Sequence, residues 1–296
     1  MADVLKRGTS MDGGIRIFAA VTTDIANEAQ RIHHTYPVAT AALGRTLTAG
    51  VLMAAAGLKN DTDSITIQIK GDGPLGNVVV CADSSLRVRG YVANPYVDRP
   101  LNDKGKLDVG GAVGNGVLNV IRDLGMKEPY IGQIPLVSGE IAEDITMYYA
   151  KSEQIPTAVA LGVLVDTDNT VIASGGFMIQ MMPGSTDEEA AMIEKTLENL
   201  PPVTSMIAEG KSAEDIIFSV VEGIDFLIEN NEATPVYSCS CSKERMEKAL
   251  ISIGKQELED LIAEQGEAEL ECQFCDNKYK FSKEELSELL KKATNK

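Results

Sequence analysis

Val38-Ala-Thr-Ala-Ala-Leu-Gly-Arg-Thr-Leu-Thr-Ala-Gly-Val-Leu-Met-Ala-Ala-Ala-Gly-Leu58 is apolar or small nearly all the way round. A helix without a polar face has to be enclosed by other elements. Pro37 stands where a first helical turn accepts proline, and Gly57 lies near the expected end. Arg45, several threonines and three glycines argue for a buried helix and against a membrane span. The segment is therefore expected under or between sheets, with Arg45 finding a partner or reaching solvent.

The surrounding sequence supplies those sheets. Ile15–Val21, Ile65–Ile69, Leu86–Val92 and Ile145–Tyr149 alternate or carry β-branched and aromatic residues, as half-buried strands do. Asn77–Cys81, Val159–Val165 and Val171–Ser174 are continuously apolar and read as strands covered on both faces. A helix capped by Asp24 is expected over residues 24–34. Gly71-Asp-Gly-Pro-Leu-Gly76 reads as a hairpin connection. Gly110-Gly-Ala-Val-Gly-Asn-Gly116 lacks the Gly-Lys-Ser/Thr ending of a phosphate loop. His33 and His34 are the sole histidines and read as a solvated helix end. With no partner at suitable spacing, they form no Ser/His/Asp or Cys/His constellation, so an enzyme is not expected. Cys81, in an apolar run, reads as a buried, inert thiol.

The character changes after residue 178. Thr186 and Glu189 form a capping box that opens a helix over residues 187–200, stopped by Pro201-Pro202. A short helix is expected over residues 203–209. A third begins near Ser212, with Ile216, Ile217, Val220, Val221, Ile224 and Leu227 at helical spacing. Residues 179–231 carry 11 acidic and 2 basic groups of a chain whose net charge is −17. Short, self-repelling amphipathic helices depend on docking for their stability.

Two cysteine pairs follow, Cys239-Ser-Cys241 and Cys272-Gln-Phe-Cys275. Four thiolates suit Zn²⁺, which is soft enough for sulfur and indifferent among ligand directions. Ser242 is expected to cap a helix over residues 243–253, residues 255–265 to form a second, and Ser282 with Glu285 to box a third. Phe274, Tyr279 and Phe281 would supply a small aromatic core. So small a module folds marginally, and a structural zinc contributes on the order of 10 kcal/mol at neutral pH. The expected fold class is α+β. It comprises a strand-rich core domain (residues 1–178) with a buried central helix, a helical linker (179–231), and a small C-terminal four-cysteine zinc domain (232–296).

Charge and cysteine usage bound the function. No segment offers a basic footprint, so neither nucleic acid nor an anionic membrane surface is an expected partner. The first ten residues contain no apolar h-region, so a cytoplasmic protein is expected, where structural disulfides are rare. On the residues alone a constitutive zinc-stabilised interaction module, a thiol oxidoreductase using Cys272 and Cys275, and a zinc-ribbon binder all stay open.

Further motifs narrow this. Together with the two cysteine pairs, Asn102-Asp-Lys-Gly-Lys-Leu-Asp-Val109, Gly132-Gln-Ile-Pro-Leu-Val-Ser-Gly-Glu140, Ser152-Glu-Gln-Ile-Pro156 and Gly175-Gly-Phe-Met-Ile-Gln180 closely resemble the heat shock protein 33 family, the redox-regulated bacterial chaperonins. Thr157, where serine is expected, is a small departure. The resemblance implies an ATP-independent holdase that is dormant when reduced and zinc-bound. Oxidation would release zinc and form the disulfides Cys239–Cys241 and Cys272–Cys275. The linker would then lose structure, and the protein would form a homodimer and bind unfolding clients. Clients would later pass to ATP-dependent chaperones. The apolar linker faces, Ile216, Ile217, Val220, Val221, Ile224 and Leu227, are the expected client surface.

Overall fold

The computed structural model describes residues 2–230 and 233–294. It divides into two compact units, Met1–Ser238 and Cys239–Lys296. The expected boundary at residues 231 and 232 lies outside the described residues.

The first unit contains two sheets. In chain order its strands are β1 (Val4–Ser10), β2 (Ile15–Val21), β3 (Ser64–Gly71), β4 (Asn77–Asp83), β5 (Arg87–Val92), β6 (Gly116–Asp123), β7 (Tyr130–Pro135), β8 (Thr157–Val165), β9 (Val171–Met181), β10 (Phe226–Ile228) and β11 (Val236–Tyr237). One sheet has the order β10-β1-β2-β9-β8 and the other β11-β5-β4-β3-β6-β7. All pairings are antiparallel except that of β11 with β5. Helix α1 (Thr23–His33) precedes α2 (Pro37–Gly57), the helix formed by the apolar segment.

Helix α2 packs against both sheets. It is long and apolar enough to cross a membrane, but the window that passes that test is enclosed by protein. Two glycines allow the close approach. A Cβ on Gly44 would stand 2.8 Å from Val163 Cγ2 on one sheet, and a Cβ on Gly50 would stand 2.9 Å from Val80 Cγ1 on the other. The buried hydroxyls of Thr46 and Thr48 donate to the carbonyls of Ala42 and Gly44, so neither is left unpaired in the core. Arg45 finds its partner in Glu140, with Nη1 2.6 Å from Oε2.

The first sheet is covered on both faces. Phe18 and Ala20 of β2 face the core around α2, while Ile15, Ile17, Ala19 and Val21 alternate to the opposite side. There they meet α5 (Asp187–Asn199), α6 (Val203–Ala208) and α7 (Ala213–Val220). Capping boxes open α5 at Thr186/Glu189 and α7 at Ser212/Asp215. This second core takes in Ile193, Val203, Met206, Ile207, Ile216, Ile217 and Val220.

Three local expectations change. Residues 145–149, read as a strand, belong to α4 (Ala142–Tyr148) and a π-helical turn over Tyr149–Glu153; a short α3 (Val109–Val113) precedes them. The buried Asp144 carboxylate accepts N–H bonds from Val137, Ser138 and Ile141, and so fixes a helix start that the β-branched and aromatic residues conceal. Helix α1 is capped by Asp3, just before β1, whose carboxylate accepts the N–H groups of Asp24 and Ile25. His33 is not a solvated end, because its Nε2 lies 2.9 Å from the Gly90 carbonyl and 3.2 Å from the Tyr237 hydroxyl.

The second unit holds α8 (Lys243–Ser252), α9 (Lys255–Glu264), the hairpin β12 (Ala268–Glu271) and β13 (Lys278–Phe281), and α10 (Lys283–Thr294). Its core is Leu250, Leu258, Phe281, Leu286 and Leu289. It is leucine-rich, with Phe281 buried in it and Tyr279 packed against it as expected, while Phe274 lies outside it.

Candidate metal centre

Two backbone devices bring the four cysteines together. Cys239 and Cys241 lie just after β11 and just before α8, whose cap Ser242 accepts from the Arg245 N–H. Cys272 and Cys275 sit on the knuckle between β12 and β13. There the Cys275 and Asp276 N–H groups donate to the Cys272 carbonyl, at 3.2 and 2.8 Å, and the Cys272 N–H donates to the Asn277 carbonyl at 2.9 Å. Asp276 takes the left-handed conformation that closes this turn, with φ of 57°.

All four sulfurs lie within 4.8 Å of one another. Cys239 Sγ is 3.7 Å from Cys272 Sγ, and Cys241 Sγ is 3.3 Å from Cys275 Sγ. Four thiolates around a tetrahedral Zn²⁺, with Zn–S of about 2.3 Å, place their sulfurs about 3.8 Å apart. The two cross-pair separations, 3.7 and 3.3 Å, lie at and just below that spacing. Among the described residues it is the one group of three or more His, Cys, Asp or Glu side chains gathered tightly enough to hold a metal ion.

The electrostatics call for a cation. Burial pushes the Cys239 thiol up to about 11 and raises that of Cys275 further. Burial acts the same way on Cys241, but hydrogen bonds from the Tyr279 hydroxyl and then from the Cys275, Cys239 and Cys272 thiols outweigh it. They bring Cys241 down to about 7. The polypeptide by itself thus favours one thiolate and disfavours crowding more beside it. A bound dication reverses that balance, because a coordinated thiol is deprotonated outright.

The other expected site residues fall in different places. Ile216, Ile217 and Val220 are buried on α7, and Val221 is buried at its C-cap. Ile224 is half-buried in a turn and Leu227 is 60 % exposed on β10, so neither continues the helical stripe. The chain reverses at Gly223, whose φ of 84° is open to glycine, and β10 then pairs with β1. Cys81 is half-buried and contacts the Thr66 hydroxyl. Tyr279, read as a core aromatic, directs its hydroxyl to Cys241 Sγ at 3.0 Å. Its position four residues after Cys275, on the returning strand of the knuckle, was the available signal.

Fold and site together define a class: an α+β protein with four cysteines, gathered closely enough to hold a metal ion, in a separate small unit. Comparison with known proteins gives the family. Residues 3–282 match the family model described as Hsp33 protein. The 33 kDa chaperonin of Clostridium beijerinckii is 50 % identical over 291 residues, covering 98 % of this chain and 99 % of its own. That of Acetivibrio thermocellus is also 50 % identical over 291 residues, covering 98 % of each. The crystal structure of the 33 kDa chaperonin from Thermotoga maritima superposes with a TM-score of 0.91 at 40 % identity, covering 100 % of both chains. The chain belongs to the Hsp33 family, whose members are named as chaperonins and not as enzymes.

Proposed function

We propose that this protein is a redox-regulated, ATP-independent holdase whose resting form holds one Zn²⁺ through Cys239, Cys241, Cys272 and Cys275. The observation that carries the reading is the convergence of four sulfurs within 4.8 Å in a unit whose hydrophobic core, among the described residues, has five buried side chains. So small a core does not hold a unit of this size without a staple. When bound, Zn²⁺ keeps the sulfurs as shielded thiolates and ties the Cys239–Cys241 segment to the knuckle.

Peroxide is the oxidant class that fits. Each pair of thiolates gives two electrons to one peroxide molecule, which takes two protons from solvent, so that one S–S bond and two waters form. The pairing follows the family resemblance, Cys239 with Cys241 and Cys272 with Cys275. Disulfide sulfurs carry no charge, so their hold on a cation is lost and the small unit melts. Residues 179–231 form the responsive linker, and 232–296 form the switch. Helices α5, α6 and α7 have 13, 6 and 8 residues. Helices of that length are marginal without a surface to dock on. Their departure uncovers Ile15, Ile17, Phe177 and Ile179 of the sheet and the apolar faces of the helices. Ile216, Ile217, Val220 and Val221, with Ile224 and Leu227 beyond them, then serve as client surface. The active form is a cytoplasmic homodimer, and it passes clients to ATP-dependent chaperones once re-reduced.

The test measures bound zinc, free thiols and suppression of client light scattering before and after peroxide at elevated temperature. The expected result is loss of one zinc and four thiols together with a gain in holding activity. Equal activity in both states would replace the switch with a constitutive interaction module. Turnover of a small disulfide would point to an oxidoreductase.

A further inference from the structure

We infer that the cleft at the C-terminal end of α2 is a binding site for an aliphatic α-amino acid, taken as its zwitterion. The site lies wholly within the first unit and shares no residue with the metal centre, so it stands or falls apart from the redox reading.

The cleft has a volume of about 490 Å³, within the range of small-molecule sites. It opens where β1 of one sheet, the turn between β4 and β5 of the other, and the last turn of α2 meet. Leu5, Ala54, Ala55, Leu58, Leu86 and Ala233 give it apolar walls. Residues 233–236 join the two sheets beside it. Ala233 exchanges main-chain hydrogen bonds with Leu5 at 2.8 and 3.3 Å, and the Val236 N–H donates to the Leu86 carbonyl at 3.1 Å. Leu86 itself holds a φ of 58° while its side chain stays buried. A leucine in the left-handed region is uncommon, and strained positions of this kind gather at ligand clamps and switches.

Four polar groups of the lining are unused by the fold. The Ser84 hydroxyl oxygen is buried and makes no hydrogen bond among the described residues. A buried polar atom left in that state calls for an explanation, and a ligand is one. Lys59 and Asp61 stand at the exposed rim with opposite charges, and neither forms an ion pair among the described residues. Arg7, the other cation of the lining, is engaged with Glu229 at 2.8 Å. The Lys59 N–H donates to Asp63 Oδ2 at 3.0 Å, where a continuing helix would send it to the Ala55 carbonyl. That carbonyl is left at the negative end of a 21-residue helix, which favours a cation. The ligand that answers all four carries both charges and a short apolar chain. Its carboxylate accepts from Lys59 Nζ and the Ser84 O–H, its ammonium donates to Asp61 and the Ala55 carbonyl, and its side chain lies among the leucines. A fatty acid leaves Asp61 and Ala55 unanswered, and an amine leaves Lys59. The interior of an unfolded client chain has neither charge, so this site is separate from client holding.

The experiment titrates full-length reduced protein with L-leucine and follows amide chemical shifts by two-dimensional NMR. Saturable shifts are expected at Ala55, Ser84, Leu86, Ala233 and Thr234, with slower amide exchange at Ala233 and Val236. N-acetyl-leucine lacks the ammonium and leucinamide lacks the carboxylate. Each should bind about tenfold more weakly than leucine, the scale of one hydrogen bond to a charged group. Lys59→Gln should weaken leucine by about tenfold and leave leucinamide as it binds wild type. Asp61→Asn should do the same with N-acetyl-leucine as the indifferent ligand. Both positions are exposed, so melting should not change. Ser84→Ala should melt no lower than wild type, because no hydrogen bond is lost, yet bind leucine about three- to tenfold more weakly. No saturable shift, or shifts confined to residues away from the cleft, overturns the inference. Equal binding of leucine and N-acetyl-leucine also overturns it, because the site then takes any apolar carboxylate. So does a Lys59→Gln protein that loses leucine and leucinamide equally, since Lys59 is then no partner of the carboxylate. A failure of peroxide to raise client holding would strike the switch reading and leave this one untouched.

Discussion

One methyl group placed at Gly162 tests how firmly the linker is seated. Gly162 lies on β8 opposite Gly175 of β9, beneath α6. A Cβ at Gly162 would stand 2.6 Å from Thr204 Cγ2 and 3.1 Å from Val203 Cγ1, both side-chain atoms of α6. At Gly175 the same atom would strike the Ala20 carbonyl at 2.4 Å and disturb the sheet itself. Gly162→Ala is therefore the selective perturbation. The seat is weak by arithmetic. Burying Val203, Met206 and Ile207 is worth about 1.5–3 kcal/mol each, or about 5–9 in all. Ordering the six residues of α6 costs about 1–2 kcal/mol each, or about 6–12. The two nearly cancel. Overpacking costs about 1–3 kcal/mol, which multiplies the undocked-to-docked ratio by about five- to 150-fold. Amide hydrogen exchange on the reduced, zinc-loaded protein reads this directly. Exchange should accelerate by at least fivefold over residues 203–208 and stay unchanged in β3 and β6. Client holding should rise without oxidant. Unchanged exchange across α6, or equal acceleration in β3, would refute the reasoning.

Three further outcomes are expected. Chelation of the metal from the reduced protein should melt the second unit, seen as loss of helical circular dichroism from α8 to α10, while the two-sheet unit keeps its unfolding transition. Glu153 accepts from the Tyr148 hydroxyl and pairs with Arg122, whose guanidinium also lies 5.1 Å from the centre of the Tyr130 ring. Glu153→Ala should cost roughly 3 kcal/mol in urea unfolding, because it strands a largely buried cation. Burial raises the Asp3 carboxyl to about 6 against the two N–H groups it accepts, Asp24 and Ile25. The folded state then keeps a proton that the unfolded chain releases, so this contribution is full below pH 4 and lost as pH rises through 6. Asp3→Asn should flatten that part of the stability profile, measured as the difference in melting temperature between pH 4.5 and 7.

What could be read beforehand was what repeats over many residues or is closed by local partners. The 21-residue run of α2 has one physical solution, enclosure, and the fold provides it. The boxes at Thr186/Glu189 and Ser282/Glu285 close within one turn, and both form. The cysteine pairs were legible because thiolates at that spacing have few other uses. The misses depend on distant partners. Strand β1 contains Lys6, Arg7 and Gly8, and its pairing with β2 and β10 makes it a strand. Asp3 caps a helix some twenty residues on, and Asp144 turns a strand-like run into α4. Strands β10 and β11, of three and two residues, are too short to leave a period in the sequence. The contact of Tyr279 with Cys241 requires knowing that β12 and β13 fold back on each other.

Those two short strands have a consequence for recognition. Strand β10 is the rim of one sheet and β11 the rim of the other, and only seven residues separate them along the chain. A single departure of this stretch would lay bare the main-chain donors and acceptors of β1 and β5 at the same moment. Two open edges of this kind can zip onto any extended polypeptide through its peptide groups, whatever its side chains. Grip of that sort does not read the guest's sequence, and it would complement an apolar face that does.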